Sequence, residues 1–133
     1  MRSIEEVREM FSHDRYAAMC GCYIEEVKEK YSKITCTISD THRNAVGGVM
    51  GAVYFTMADF AFAVATNAWL DKPDVVSVSS NINFLNFCRG SKLTAEAVCV
   101  KEGRTTVCYE ITITDDTGRD IALVTIMGCH SGR

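Results

Sequence analysis

Asp59 sits in the twenty-two-residue run VMGAVYFTMADFAFAVATNAWL, Val49 to Leu70, which has no other acidic side chain and no Lys, Arg or His. A carboxylate in such surroundings is expensive to ionise unless a partner stabilises it or a reaction uses it. Asn44, Gly47 and Gly51 precede it, and together these four are the residues whose types and spacing can do chemistry. Gly51 and Ala52 fall at the expected start of a helix, where unpaired N–H groups and the positive dipole end can hold an oxyanion or a polarised carbonyl. Small side chains there let a carbonyl approach the backbone. Asp59 would serve as general base or nucleophile towards that carbonyl. A structural reading stands beside this one: an Asp on an apolar helix can simply hydrogen-bond a backbone group or a serine, and glycines before a helix are often turn chemistry.

Helix geometry constrains the catalytic reading. Eight residues separate Gly51 from Asp59, which is about 12 Å along a helix axis. The Asp side chain leans back towards the N-terminus and closes only part of that gap. One carbonyl carbon therefore cannot readily meet both groups of one chain, and the spacing predicts a homodimer that shares its sites across the interface.

The elements that must position these residues follow from periodicity. Ser3 with Glu6 three residues on is a capping box, so a short helix is expected over residues 3–11. Cys22 to Lys28 and Lys33 to Ser39 read as strands, the second alternating Ile34, Cys36 and Ile38 with Thr35, Thr37 and Ser39. A polar, glycine-terminated loop from Asp40 to Gly48 leads into a helix over about 51–70 that is apolar on every side. Its length would allow it to span a bilayer. Asp59 near its centre, Thr56, Thr66, Asn67 and the soluble α+β pattern of the rest weigh against that. After the break at Asp71-Lys72-Pro73-Asp74 come four strand-like segments. Val76, Val78, Ile82 and Phe84 are expected on one face of the first, and Leu93, Ala95, Ala97 and Cys99 on one face of the second. Val107, Tyr109, Ile111 and Ile113 share a face of the third, and Ile121 to Met127 is apolar on both faces, as in a central strand. Glu102-Gly103 and Asp115 to Gly118 read as hairpin turns. The expected class is α+β: one hotdog domain over residues 1–133, an antiparallel sheet curled round a single central apolar helix.

Composition limits the alternatives. A net charge of −3 gives no basic footprint, so nucleic acid is not implied. The alternating charges of MRSIEEVREMF do not form a signal peptide. The seven cysteines are odd in number and contain no C-x-x-C pair, which reads as structural thiols in a reducing cytoplasm. Cys20-Gly21-Cys22 lacks the further ligands a metal site needs, and no metal is expected. His13 and His130 read as surface residues.

The segment HRNAVGGVMGAVYFTMADFAFAVA resembles the signature of the PaaI-type hotdog thioesterases, broadly N-x-x-G-x-x-H-G-G followed by L-A-D. VSVSSNINFLNFCRGSKLTAEAVCVKEGRTTVCYEITITDDTGRDIALVTIMG resembles the sheet of the same family, and the likeness extends from about His13 onward. It implies hydrolysis of small, medium-chain or aromatic acyl-CoA thioesters, with coenzyme A as part of the substrate and no further cofactor. Asp59 matches the catalytic carboxylate, Gly51 the backbone oxyanion donor, Asn44 an orienting asparagine, and Ser77 a serine that positions water. The family's dimers and tetramers place Asp59 across the dimer interface. Met50 and Ala52 stand where the family has His and Gly, which removes a hydrogen-bond donor and implies an altered acyl preference or a slower turnover. His42 is expected as a solvated loop residue, the alternative being that it stands in for that ring. Arg89, Lys92, Lys101 and Arg104 are candidates for the phosphates of coenzyme A, with Gly103 and Arg104 favoured by the likeness. The rival implication is a non-catalytic acyl-CoA sensor or scaffold of the same fold.

Overall fold

A computed structural model describes residues 1–132. Helices α1 (Ile4–Phe11) and α2 (Arg15–Cys20) precede strands β1 (Tyr23–Lys28) and β2 (Tyr31–Thr37). A 3-10 turn (Asp40–His42) and a loop lead to α3 (Gly51–Asn67), followed by β3 (Val75–Phe84), β4 (Lys92–Glu102), β5 (Thr106–Asp115) and β6 (Asp120–His130). The six strands form one antiparallel sheet in the order β1-β2-β4-β5-β6-β3. One face of that sheet wraps α3, as a hotdog fold requires.

The core follows from two periodicities meeting. Leu93, Ala95 and Ala97 on β4, Val107, Tyr109, Ile111 and Ile113 on β5, and Val124 and Ile126 on β6 all point inward and are buried. Against them lie Met57, Ala58, Ala61, Phe62, Val64 and Ala65 of α3. Phe62 meets Tyr109 edge to face, with ring centroids 5.6 Å apart. Each large side chain withdrawn from water in this way stabilises the fold by roughly 1.5–3 kcal/mol. Gly128 is required where Phe62 crosses β6, since a Cβ there would lie 2.6 Å from the Phe62 ring and 2.7 Å from the Val76 carbonyl oxygen.

The short N-terminal helix begins as expected, with the Ser3–Glu6 capping box formed in both directions. The central helix stops at Asn67, three residues short of the expected limit. Its end is tied down by distant groups. Arg2 donates to the carbonyls of Ala68 (3.0 Å) and Leu70 (2.8 Å), placing a cation at the negative end of the helix dipole. The Asn67 side chain accepts from Val75 N–H at 2.9 Å and donates to the Val75 carbonyl at 3.1 Å. Helix α2 was not expected; Gly21 ends it with φ of 91°.

Strand β3 corrects the expected pattern. Ser77 pairs with Gly128 and Ser79 with Met127, so Val78 is the extra residue of a β-bulge. The bulge inverts the alternation. Ile82 and Phe84, opposite Val124 and Ala122, face the helix together with Ser77, whereas Val76, opposite Cys129, faces away and Val78 is 67 % exposed. The four apolar residues do not share a face. Strand β3 is also an edge strand, and from Val75 to Phe84 it holds no charged side chain. The opposite edge, β1, has Glu25, Glu26 and Lys28. Charges are a usual defence of a free edge against pairing with another chain, and β3 lacks them.

Candidate active site

The loop before α3 is shaped by Asn44. Its side-chain oxygen accepts from Val46 N–H (3.1 Å) and Gly48 N–H (3.0 Å), and its backbone N–H donates to the Gly48 carbonyl at 2.7 Å. Gly47 completes the turn with φ of 89°, a conformation that favours glycine. Met50 N–H donates to the His42 carbonyl, and the Met50 side chain, at the N-cap, caps nothing. Gly51 and Ala52 N–H groups therefore have no backbone acceptor among the described residues, at the positive end of a seventeen-residue helix. A Cβ at Gly51 would lie 2.9 Å from the Phe84 ring, so a larger residue would push that ring aside. A cavity of about 530 Å³ opens at this point, walled by Val49, Gly51, Tyr54, Phe84 and Leu85, with Arg119 at its edge.

Asp59 lies two turns further along α3, half-buried, against β3 on one side and α2 on the other. The bulge in β3 turns Ser77 inward, and its hydroxyl hydrogen-bonds the Asp59 carboxylate. Burial pushes the Asp59 carboxyl above the ordinary aspartate value, the Ser77 hydrogen bond opposes the rise, and the charge of Asp14 adds to it. A cavity of about 340 Å³ beside the carboxylate is lined by Asp14, Tyr16, Ala17, Phe55, Thr56 and Phe60. It shares no lining residue with the cavity at Gly51. Within one protomer Asp59 and Gly51 thus line separate cavities, as their helical spacing demands.

The remaining expected residues fall in three places. Met50 and Ala52 line a third cavity, of about 300 Å³, with Tyr16, Cys20, His42 and Thr56. Gly103 and Arg104 form the β4–β5 turn, at the Val75–His130 end of the sheet, while Gly51 touches Phe84 at the other end. A ten-residue strand separates the two levels, about 30 Å at the usual rise per residue. The structure does not bring Arg104 and Gly51 of one chain together.

Two histidines differ from expectation. His42 is buried, not solvated: its Nδ1 accepts from Ser39 N–H at 2.9 Å and its Nε2 donates to the Cys20 carbonyl at 2.6 Å. Both ring nitrogens are occupied in holding the loop, which leaves none to stand in for the missing family histidine. His130 is also more than a surface residue, bridging Asp74 (2.8 Å) and Glu102 (3.2 Å), and these carboxylates raise its pKa, the Asp74 hydrogen bond most. The cysteines are all free. Burial pushes the Cys36 thiol up to about 11 and Cys22 higher still, so neither is a ready nucleophile. No group of three or more His, Cys, Asp or Glu among the described residues is arranged to hold a metal ion. No described helix is long and apolar enough to cross a membrane. Asp14 and Tyr16, which face the Asp59 cavity, escaped the sequence reading. The signal was Asp14 itself, an N-cap residue type, before the short run RYAAMC.

An antiparallel sheet of this order wrapped round one apolar helix, with an uncapped helix N-terminus and a carboxylate two turns on, defines a hotdog-fold hydrolase. The sequence model of the thioesterase superfamily matches residues 46–122, and the chain belongs to that family as a PaaI-type thioester hydrolase. It is 31 % identical over 122 residues to a putative esterase of Archaeoglobus fulgidus, covering 90 % of this chain and 78 % of that one. It is 30 % identical to the acyl-coenzyme A thioesterase PaaI of Escherichia coli, over 86 % of this chain and 81 % of the relative. The solved structure of E. coli PaaI superposes with a TM-score of 0.80 at 25 % identity, covering 96 % of each chain. A hypothetical thioesterase of Streptococcus pneumoniae, solved with coenzyme A, gives 0.77 at 25 % identity, over 92 % of this chain and 94 % of that one.

Proposed function

We propose that the protein hydrolyses acyl-CoA thioesters at sites built from two copies of the chain, Gly51 from one and Asp59 from the other. Coenzyme A enters only as part of the substrate. The thioester carbonyl oxygen accepts from Gly51 N–H, where the helix dipole favours the charge that develops on it. Asp59 of the second copy, held by Ser77, acts on the carbonyl carbon, either by taking a proton from the attacking water or by attacking it directly. The tetrahedral oxyanion collapses with cleavage of the carbon–sulfur bond, and the thiolate takes up the proton and leaves as coenzyme A; on the direct route, water then cleaves the anhydride left on Asp59 and releases the carboxylic acid. Asn44 keeps the loop in the shape that exposes Gly51 N–H and retains its Nδ2 to orient the thioester. Met50 and Ala52 border the site in place of the family's His and Gly. The relatives named for acyl-CoA hydrolysis and solved with coenzyme A support the substrate class.

The observation that carries this reading is the separation of Gly51 and Asp59 into distinct cavities, beside a charge-free edge strand. Gly51 lies at the level of Phe84, and Asp59 at the level of Ser77. An antiparallel β3–β3 pairing that sets Ser77 of one copy opposite Phe84 of the other brings the two groups together. Its two-fold axis passes between Ser80 and Asn81, near the middle of the strand. The same pairing turns the Gly103–Arg104 hairpin of the second copy towards the Gly51 end, where it can meet the phosphates.

Complementation between two inactive variants tests the arrangement. Asp59→Asn and Gly51→Val are each expected to abolish turnover. In a mixed dimer, one site then has both wild-type groups and the other has neither. Random reassortment is expected to restore about a quarter of wild-type activity, since half the dimers are mixed and each has one good site. No recovery, with mixed dimers shown to form, would place the site within one chain. Two variants that bind acyl-CoA as the wild type does, beside a wild type that never turns over, would identify an acyl-CoA sensor.

A further inference from the structure

We propose that His130 is a positioning residue: as the imidazolium it clamps the Gly103–Arg104 hairpin to the segment before β3, and so sets the affinity for coenzyme A. The inference rests on that hairpin meeting the coenzyme A phosphates at the Gly51 end of a second copy. Strands β4, β5, β6 and β3 lie side by side, and one polar chain crosses all four at the hairpin end. His130 Nδ1 donates to Asp74, just before β3, at 2.8 Å. Its Nε2 donates to Glu102, the last residue of β4, at 3.2 Å. The other Glu102 carboxylate oxygen accepts from the Tyr109 hydroxyl of β5 at 3.1 Å.

Hydrogen-bond chemistry fixes the charge of the ring. An ionised carboxylate only accepts, and a neutral imidazole has one N–H, so a ring serving two carboxylates has a proton on both nitrogens. The charged groups set against it, Asp74 and Glu102, both favour that form, the Asp74 hydrogen bond most, while partial burial opposes it. On β5, burial and the Glu102 charge keep the Tyr109 phenol protonated, with the Cys99 thiol against it. Asp74 is itself anchored, its Oδ2 accepting from Gly132 N–H at 3.1 Å and its carbonyl from Ser131 N–H at 2.9 Å.

The hairpin closes on itself through Gly103 N–H and the Thr106 carbonyl at 2.9 Å. On its β5 side the main chain attaches it to β6, through His130 N–H and the Thr105 carbonyl at 2.9 Å. The β4 side is looser. Val100, two residues before Glu102, is the extra residue of a bulge, where strand pairing is interrupted. There the attachment to β6 is the Glu102 carboxylate on the His130 ring. When the ring loses a proton, the shorter bond, to Asp74, keeps the one that remains, and Glu102 is released together with the turn that presents Arg104.

Two probes that cannot be hydrolysed test the clamp: the S-butyl thioether of coenzyme A, and the S-butyl thioether of pantetheine, which has no phosphate. In calorimetric titrations from about pH 6 to about pH 9, the Kd of S-butyl-CoA is expected to rise about tenfold, a usual size for linked sites. His130→Gln, neutral throughout, should bind at the weak, alkaline limit. His130→Arg, a permanent cation with a fork of donors, should keep the tight limit. The titration of the phosphate itself, near pH 6, is common to all three proteins and cancels in their ratios. By linkage, bound S-butyl-CoA should make the His130 ring hold its proton about tenfold more tightly, read from its imidazole NMR signals. A residue that only stabilised the fold would move melting temperatures and leave these ratios flat. A ratio of wild type to His130→Gln that stays constant with pH overturns the clamp, and decides the matter even if His130→Arg fails to fold. Acyl-CoA hydrolysis beside such a constant ratio refutes the clamp alone. A pH-dependent ratio in a protein that never hydrolyses acyl-CoA upholds the clamp and refutes the catalytic reading alone. S-butyl-CoA binding no tighter than the pantetheine probe would show that the hairpin does not meet the phosphates, and refutes both that reading and the clamp.

Discussion

Replacing Asp59 with Asn is expected to weaken catalysis and strengthen the fold at the same time. The amide has nearly the shape of the carboxylate but no charge. In the wild type, burial raises the carboxyl's pKa, Ser77 supplies one opposing hydrogen bond, and Asp14 repels the ionised form. The folded-state pKa therefore lies above the unfolded one. Such a group favours the folded state at low pH, and that contribution is lost as pH rises through the folded-state value. At neutral pH the ionised Asp59 is a net liability, which the Asn variant removes. Its melting temperature should equal or exceed that of the wild type at pH 7, and the difference should vanish below pH 3.8, the ordinary aspartate value. Turnover moves the other way. Loss of a general base costs typically about 10²–10⁴ in rate, and loss of a nucleophile at least as much. Hydrolysis is best followed by loss of thioester absorbance, because free cysteines of the protein would add to the signal of a thiol reagent. A variant that keeps more than about a tenth of wild-type turnover would refute the catalytic assignment. One that melts several degrees lower at pH 7 would show the carboxylate to be a structural hydrogen-bonding group, the bland alternative.

Two neighbours of Asp59 should move its titration in opposite directions. Ser77→Ala removes the hydrogen bond that favours the charged form and should displace the acid limb of the kcat/KM profile to higher pH, whereas Asp14→Asn removes a repelling charge and should displace it to lower pH. Displacement of both in one direction, measured over the same buffers, would sink this account of the site. Gly128→Ala should destabilise the protein by about 1–3 kcal/mol, since its Cβ meets Phe62 at 2.6 Å and the Val76 carbonyl oxygen at 2.7 Å. Calorimetry should show a fall of roughly 4–10 °C, and an unchanged melting temperature would mean that β3 and β6 part more easily than their register implies.

Strong local signals carried much of this fold into the sequence. The apolar run around Asp59 fixed α3, strict alternation fixed β4 and β5, and the two-sided apolarity of Ile121 to Met127 matches a strand flanked by β5 and β3. What was illegible depended on distant partners. The end of α3 is decided by Arg2, sixty-six residues from the Ala68 carbonyl it meets. The role of His42 depends on Cys20, which only the return of the chain brings to 2.6 Å. The inverted face of β3 comes from a bulge, and a bulge shifts the period without leaving a mark in residue type. Asp14 and Tyr16 went unnoticed for a similar reason, since a six-residue helix has too few turns to show a face.

Three features that break local rules fall around the proposed site. A helix buried on nearly every side has a carboxylate, its N-terminus has no capping side chain, and an edge strand has no charge to guard it. Natural chains break such rules mainly where function requires it. The rigidity of α3 links the three. From Gly51 to Asn67 the helix contains no proline and no second glycine, so nothing in it permits a kink that would shorten the distance from Gly51 to Asp59. Side-chain rotation recovers only a fraction of about 12 Å. The proposed site therefore draws its carboxylate from a second chain, and the unguarded strand lies beside Ser77, where that chain would dock. On this reasoning a substitution that blocks β3 pairing, such as Ser80→Pro, should abolish turnover without touching either reacting group. An active monomer, identified by light scattering under assay conditions, would refute it.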